Sequence, residues 1–299
     1  MKLAPLLVIT LAGCGADVGG PCSATDACEE GVCDLTNPDG PVCVDAEGDD
    51  DGDGIPNKRD FCQHQMGGAY DEDLDGYGDD CDKCPIAPPP ATPDRDGDEV
   101  DSPCDPDPTT AGDRIVVCTG FNEPTLPATF KATPGWIFQG GEARATPAGP
   151  TVLETLTAPM PLVSSHIAIL ARYRVDRVDT TATENAAAVL GIDRRPAGLT
   201  TISCGASRIG GMDRLVLDTG VGNANDTVDN LFDPASLYRV ALKIDGAQAQ
   251  CALIGDTDTG ASQQTTNGEN MTEAGVSARG ATIRFSYLLA VQQGPAGQN

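Results

Sequence analysis

The stretch His166-Ile-Ala-Ile-Leu-Ala-Arg-Tyr-Arg-Val175 decides the fold of the C-terminal part of this chain. Apolar residues alternate with others along part of it, and the stretch from Tyr238 to Asp245 alternates in the same way. Alternation at period two is the pattern of a half-buried β-strand. Because no segment shows a convincing amphipathic helical period, we expect this part of the chain to consist of strands.

Similar short apolar runs recur on both sides of these stretches, separated by clusters of Gly, Pro, Asn and Asp. Many strands with turn-rich connections indicate an antiparallel β-sandwich rather than parallel βαβ units. The fold class predicted for residues 113–299 is therefore mostly β. The predicted strands are 114–121, 135–139, 151–156, 164–175, 186–193, 199–205, 213–218, 237–245, 249–254 and 281–292.

The order of these runs is similar to that of laminin G-like, concanavalin-type jelly rolls. This resemblance implies two packed antiparallel sheets and a surface that binds a carbohydrate or a protein, and it assigns no ligand residue in this chain. The single Trp136 is expected in the core, with stacking on a sugar as the alternative. The similarity is carried by Phe130–Gly141, Ser165–Val175, Ala188–Asp193, Ile202–Cys204, Tyr238–Asp245 and Ser277–Val291.

A glycoside hydrolase on the same scaffold is the alternative function. Concanavalin-like hydrolases place paired acids at alternate positions of one strand, and no Glu-x-Asp-x-x-Glu run occurs here. The two histidines, His64 and His166, lack the companions of the common hydrolase and metalloprotease motifs. We therefore expect the chain not to be an enzyme.

Residues 45–107 carry most of the negative charge, with 21 Asp and Glu against four Lys and Arg. Because this block contains very little Leu, Ile, Val or Phe, it cannot fold on apolar burial alone. Its carboxylates repel one another and would repel phosphates, which excludes nucleic acid as a partner. Metal cations and a solvated acidic linker are the options that remain.

The block repeats itself in twelve-residue frames that begin at Asp49, Asp71 and Asp94. In a tightly curled loop the carboxylates at positions 1, 3 and 5 converge, and position 6 must turn sharply, as Gly54 and Gly76 permit. Position 7 supplies a backbone carbonyl, and positions 9 and 12 close the shell. We predict calcium as the cofactor, because magnesium demands stricter octahedral geometry. The predicted ligands are Asp49, Asp51, Asp53, Ile55, Asn57 and Asp60, then Asp71, Asp73, Asp75, Tyr77, Asp79 and Asp82, then Asp94, Asp96, Asp98, Val100 and Asp105.

The frames differ from EF-hands, which place a helix on each side of the loop and usually a Glu at position 12. The flanks here are rich in Gly, Pro and Cys, and position 12 is Asp every time. The third frame departs from the pattern, because Glu99 replaces the turning Gly and Ser102 replaces an acid. Occupancy of the third site is therefore an open question.

The frames resemble thrombospondin type 3 repeats, through Asp49–Cys62, Asp71–Pro85 and Asp94–Asp107. In that family the repeats wrap around calcium ions in place of a hydrophobic core, and the resemblance implies the same here. Cys62 and Cys84 stand at position 14 of the first and second frames. Cys81 and Cys104 stand at position 11 of the second and third frames. The resemblance therefore implies the disulfides Cys62–Cys81 and Cys84–Cys104.

Residues 1–14 resemble a bacterial lipoprotein signal peptide. Lys2 precedes an apolar run too short to span a bilayer, and the run ends in Leu11-Ala-Gly-Cys14. The resemblance implies acylation of Cys14 and a lipid anchor in the membrane, and Gly15 favours the outer membrane or cell surface. An ordinary secretory cleavage site is the alternative.

Export makes disulfides the expected state of the remaining cysteines. Residues 15–44 contain too little apolar material for a core, so two local disulfides would have to order them, with zinc binding as the alternative. Cys204 and Cys251, expected on adjacent strands, are predicted to pair and to leave Cys118 as the odd thiol. The four cysteines of residues 15–44, whose pairing stays open, are Cys22, Cys28, Cys33 and Cys43.

Overall fold

The structure is a computed structural model, and its regular structure is almost entirely β-strand. No described helix is long and apolar enough to cross a membrane. The predicted signal peptide and Cys14 lie outside the described residues. By its internal contacts the chain divides into two compact units, Met1–Pro85 and Ile86–Asn299. The described residues are 16–25, 28–87, 94–101, 104–161, 164, 166–179, 186–192, 202–219, 223–254, 261–265 and 272–294.

The first unit begins with a small cystine-linked hairpin. Strands β1 (Val32–Asp34) and β2 (Val42–Val44) pair antiparallel. Disulfides join Cys22 to Cys33 and Cys28 to Cys43, each with a Cα–Cα distance of 5.8 Å, which is the common spacing for a disulfide. These bonds select one of the three open pairings. Because all four sulfurs are oxidised, the zinc alternative does not hold.

The described part of the first unit has almost no apolar interior. The loops that follow the hairpin contain only one helical turn, at Asn57–Arg59. A unit with this composition cannot be stabilised by apolar burial alone, and covalent or ionic links have to supply the order. Its buried apolar residues are Cys43, Val44, Cys62 and Cys84.

The second unit is an antiparallel β-sandwich, as predicted. Each predicted strand overlaps an observed one, and the sequence missed several short or polar strands. The strands are β3 (Asp113–Thr119), β4 (Lys131–Ala132), β5 (Trp136–Phe138), β6 (Ala143–Ala145), β7 (Leu153–Pro159), β8 (His166–Val178), β9 (Ala186–Ile192), β10 (Ile202–Ile209), β11 (Met212–Asp218), β12 (Asn223–Thr227), β13 (Tyr238–Asp245), β14 (Gln248–Ile254), β15 (Ala261–Thr265), β16 (Glu273–Arg279) and β17 (Ala281–Gln293).

The strands form two sheets of jelly-roll type. One sheet has the order β12-β11-β10-β9-β16-β7-β4, and the other has the order β15-β14-β13-β8-β17-β6-β5. The long strand β17 pairs with β8 along one edge. Its other edge pairs with β6 at one end and with β3 at the other. Strand β3 is thus attached to the sandwich through β17.

The core lies between the sheets and takes alternate side chains from both, including Leu156, Leu215, Ile169 and Leu242. Trp136 is 8% exposed, and its ring centroid lies 5.9 Å from that of Phe285 in the core. This burial confirms the prediction that Trp136 is a core residue, and it removes the alternative of a sugar-stacking platform.

The predicted disulfide between Cys204 and Cys251 is present, with a Cα–Cα distance of 5.3 Å. The two cysteines do not lie on adjacent strands, as the sequence had indicated. Strand β10 belongs to one sheet and β14 to the other, so the bond crosses the core and joins the two layers. Cys118, on β3, is a thiol rather than half of a disulfide.

Candidate metal centres

The three acidic loops share one backbone path, set by the carboxylate at position 1. In the first loop, the Asp49 carboxylate accepts the amides of Gly52, Asp53 and Gly54 at 2.8, 3.1 and 3.1 Å. Three amide donors on one carboxylate hold a loop of this length closed. The matching donors are Leu74, Asp75 and Gly76 on Asp71 at 2.6, 3.2 and 2.9 Å, and Gly97, Asp98 and Glu99 on Asp94 at 2.6, 3.2 and 2.9 Å.

Position 6 takes a left-handed backbone conformation in every loop. The φ angles are 94° at Gly54, 97° at Gly76 and 74° at Glu99. A side chain in this region costs about 1–2 kcal/mol. The third loop therefore adopts the same turn as the others without the glycine that the pattern requires.

The loops bring the carboxylates of positions 1, 3 and 5 together. One oxygen from each residue lies within 4.8 Å of the other two, in the triads Asp49–Asp51–Asp53, Asp71–Asp73–Asp75 and Asp94–Asp96–Asp98. Burial, with the charges of Asp75 and Asp71 adding to it, raises the pKa of Asp73 to about 6. Three acidic groups at this distance repel one another unless a cation lies between them.

Position 3 leaves carboxylate oxygens without a donor. Asp51 Oδ2, Asp73 Oδ2 and both oxygens of Asp96 are buried and accept no hydrogen bond. A buried charged oxygen without a partner is costly. Calcium prefers such hard oxygen ligands, so the side chains present fit a calcium ion.

Position 12 repeats this arrangement. One oxygen of Asp60, Asp82 and Asp105 accepts the amide two residues ahead, at 2.7, 2.9 and 2.7 Å. Asp60 and Asp105 are 3% and 7% exposed, and the Oδ2 of each is buried and accepts no hydrogen bond. Burial raises the pKa of Asp60 to about 6, and the charges of Asp51 and Asp53 add to the effect. In the first and third loops, position 12 thus feels the charges of the carboxylate triad.

Position 9 acts as a latch for the loop. Asn57 Oδ1 accepts the amide of Asp50 at 3.2 Å, and Asp79 Oδ1 accepts the amide of Glu72 at 2.9 Å. In the third loop the latch lies one position earlier, because Asp101 Oδ1 accepts the amide of Asp94 at 3.2 Å. Ser102, at position 9 of this loop, lies outside the described residues. The predicted ligand role of Asn57 and Asp79 requires the remaining lone pairs of these oxygens, so the two roles are compatible.

The peptides at position 7 are tied to position 5. The amides of Ile55, Tyr77 and Val100 donate to Asp53, Asp75 and Asp98 at 2.7, 2.8 and 3.0 Å. Each bond fixes the backbone of a residue whose carbonyl oxygen is predicted to be a calcium ligand. The carbonyl role itself stays a prediction.

The surroundings of the loops distinguish among the interpretations of the acidic block. No helix flanks the loops over residues 45–87 and 94–101, so the EF-hand interpretation does not apply. The predicted disulfide Cys62–Cys81 is present, with a Cα–Cα distance of 5.8 Å, and joins the first two frames. Cys84 and Cys104 are both disulfide-bonded. Shared loop geometry and register-matched cystines argue against a featureless acidic linker.

The sandwich carries a separate charged cluster on its larger sheet. Glu142 and Asp176 both bind the Arg284 guanidinium, at 2.8 Å each. Arg174 lies 3.0 Å from Glu142, and Arg144 lies 3.2 Å from Asp176. The two carboxylates therefore have arginine partners on neighbouring strands.

The histidines each contact a carboxylate. His64 Nδ1 lies 2.6 Å from Asp34 Oδ2, and its Nε2 lies 3.2 Å from Asn37 Nδ2. His166 Nδ1 lies 3.1 Å from Asp245 Oδ1 on the paired strand β13. Neither contact includes a serine or cysteine nucleophile.

No protein-family model matches this chain, and no curated protein sequence matches it. Among solved structures, it is similar to the Ca2+-bound exoplasmic/lumenal domain of VIP36, with 8% identity, a TM-score of 0.46, and coverage of 62% of this chain and 92% of that one. Arcelin-5, a lectin-like defense protein from Phaseolus vulgaris, is 10% identical with a TM-score of 0.46, over 62% of this chain and 100% of arcelin-5. The CBM2 module of the Lactobacillus casei BL23 phage J-1 evolved Dit is 13% identical with a TM-score of 0.43, over 62% of this chain and 97% of the module.

Proposed function

We propose that this chain is a calcium-binding surface protein in which the ions take the place of an apolar interior in the acidic repeats. The observation that carries the proposal is the set of buried carboxylate oxygens without hydrogen-bond donors at positions 3 and 12, seen on Asp51 and Asp60 and again on Asp96 and Asp105. One cation in each loop would satisfy the oxygens of that loop. Binding free energy then becomes folding free energy.

Calcium is the preferred ion because of the number and type of donors. Each loop presents three converging carboxylates, a fourth at position 12 and a peptide carbonyl at position 7. Calcium accepts six to eight such oxygens in flexible geometry, whereas magnesium retains water and requires a strict octahedron. A loop already crowded with carboxylates favours the larger ion.

The proposed role of the whole chain is structural or adhesive. The lipid at Cys14 would hold the protein at the outer membrane or cell surface of its host. The β-sandwich would present a face to a glycan or a surface protein. An enzymatic role has less support, because Glu142 and Asp176 are engaged by arginines rather than left available for acid and base chemistry.

Isothermal titration of the oxidised full chain with calcium tests the metal proposal. We expect at least two ions to bind per chain, with weaker binding of magnesium. Binding of fewer than two calcium ions would contradict it. Glycan-array binding with and without chelator tests the role of the sandwich. If no glycan binds, binding to surface-protein extracts is measured in the same two conditions.

A further inference from the structure

Asp113 is a buried carboxylate that belongs to none of the acidic frames. It is the first residue of β3 and is 1% exposed. Its Oδ2 accepts the amide of Asp107 at 3.2 Å, and its Oδ1 is buried and accepts no hydrogen bond. A buried carboxyl with an oxygen that accepts no hydrogen bond is stabilised by a proton or a cation beside it.

The backbone of Asp113 is bound to the third acidic loop. Asp98 Oδ2, at position 5 of that loop, accepts the amides of Gly112 and Asp113 at 3.0 and 2.6 Å. A surface hollow lined by Gly97, Asp98, Glu99, Asp113 and Arg114 lies beside this contact. The carboxylate of Asp113 is thereby held next to a triad that already has the geometry of a cation site.

The side chain of Asp113 also meets Asp105, the position 12 residue of the same loop. Burial, with the contact to Asp105 next in effect, raises the pKa of Asp113 to about 8. Lys243 on β13 is a positive charge that acts on Asp105, and Asp98 is a negative one. When both carboxyls are ionised, neither can donate to the other, and each has one buried oxygen that accepts no hydrogen bond.

The first loop has a glycine at the position that corresponds to Asp113 in the third loop. There Asp53 Oδ2 accepts the amide of Gly67, fourteen residues ahead, as Asp98 Oδ2 accepts that of Gly112. The next residue is Gly68 in the first loop. A Cβ at Gly68 would lie 2.3 Å from Asp60 Oδ1, the position 12 carboxylate. The third loop has a carboxylate at the place where the first loop has no side chain.

We propose that Asp113 is a calcium ligand of the third repeat, acting with Asp105, so that the ion links this repeat to the first strand of the β-sandwich. The inference rests on the proposed function. Asp113 adds a negative charge beside Asp105, the position 12 residue of this loop. Since β3 is attached to the sheet through β17, calcium at this site would hold the N-terminal end of β3 in its register.

The test compares the full chain with Asp113→Asn, which keeps the size of the side chain and an acceptor for the Asp107 amide. Asp60→Asn is the matched control, because it makes the same change at position 12 of the first loop. Calcium binding is measured by titration, and protection of the β3 amides is measured by hydrogen exchange in calcium and in chelator. Thermal unfolding in chelator shows whether each variant folds.

We expect Asp113→Asn to weaken one calcium site by about tenfold or more and to abolish the calcium-dependent protection of β3. In chelator it should be at least as stable as the parent, because it removes a carboxyl whose ionisation burial opposes. Asp60→Asn should weaken a different site and leave the protection of β3 intact. If Asp113→Asn binds calcium like the parent and keeps the protection, the two carboxyls share a proton and the inference is wrong. If the parent itself binds fewer than two ions, the proposed function fails as well.

Discussion

The amide of Glu99 donates to the Asp94 carboxylate at 2.9 Å, at the place where Gly54 donates to Asp49 at 3.1 Å. The third loop therefore closes in the same way as the first, although a glutamate takes the left-handed conformation there. The sequence left the third site in doubt because of this residue and Ser102. In the structure, Glu99 strains the backbone at position 6. The carboxylates of Asp94, Asp96 and Asp98 still converge.

Glu99→Gly should stabilise the third loop. Glycine adopts positive φ without steric strain, so the gain should be about 1 kcal/mol, measured as the free energy of unfolding in saturating calcium. Gly54→Glu makes the reverse change in the first loop and should destabilise the protein by a similar amount. Equal stability of all three proteins would show that position 6 carries no strain.

Asp73→Asn should remove one calcium ion from the full chain. The change takes a charge from a triad whose members lie within 4.8 Å of one another, and it supplies an amide nitrogen where an oxygen ligand is needed. Titration should show one site lost or weakened by about tenfold or more. Asp80→Asn, at an exposed neighbour outside the triad, is the control and should keep every site.

The metal-free and calcium-loaded proteins should respond to pH in opposite directions. The pKa values of Asp60, Asp73 and Asp79 are raised from 3.8 to about 6 by burial in the metal-free fold. The folded state therefore binds more protons than the unfolded state between these values, and its stability falls as pH rises from about 4 to about 6.

Calcium requires the ionised carboxylates, so its affinity should fall as pH drops below about 6. Thermal unfolding from pH 4 to pH 7, with chelator and with calcium, measures both trends. A metal-free protein that becomes more stable with rising pH over this range would contradict the assignment of these carboxylates to the sites.

Replacing Cys204 and Cys251 together by serine should lower the stability of the sandwich by about 2–4 kcal/mol, because the bond closes a loop across the two sheets. Calcium binding should persist in this variant. The double replacement of Cys62 and Cys81 should do the reverse, weakening calcium binding while the sandwich keeps its unfolding transition. Chemical denaturation followed by tryptophan fluorescence reports on the sandwich, since Trp136 is in its core.

The long strands could be predicted because their own residues specify them. Strand β13 and the second half of β8 alternate between buried and partly exposed positions, and the first half of β8 is a continuous apolar run. Three of the strands that the sequence missed are of another kind. Strand β12, Asn-Ala-Asn-Asp-Thr, has no apolar run and is a strand because β11 pairs with it. Strands β4 and β6 are two and three residues long and owe their conformation to longer neighbours.

The candidate ligands that lie within the twelve-residue frames could be predicted from the sequence. Positions 1, 3 and 5 come together because the loop is local, and local geometry follows from spacing. Asp113 was missed because it lies outside the frames, just before the predicted strand 114–121. The spacing in the sequence could have pointed to it, since Asp113 follows Asp98 at the same distance as Gly68 follows Asp53. The sheet assignment of Cys204 and Cys251 depends on long-range topology, which spacing does not reveal.

The buried apolar residues described in the first unit are three cystine sulfurs and one valine, at Cys43, Cys62, Cys84 and Val44. A unit with such an interior has little to hold it together in a reducing cytoplasm poor in calcium. It would stay unfolded there and could be threaded through a secretion channel without first being pulled apart. Arrival in an oxidising, calcium-rich space would then be the event that starts its folding.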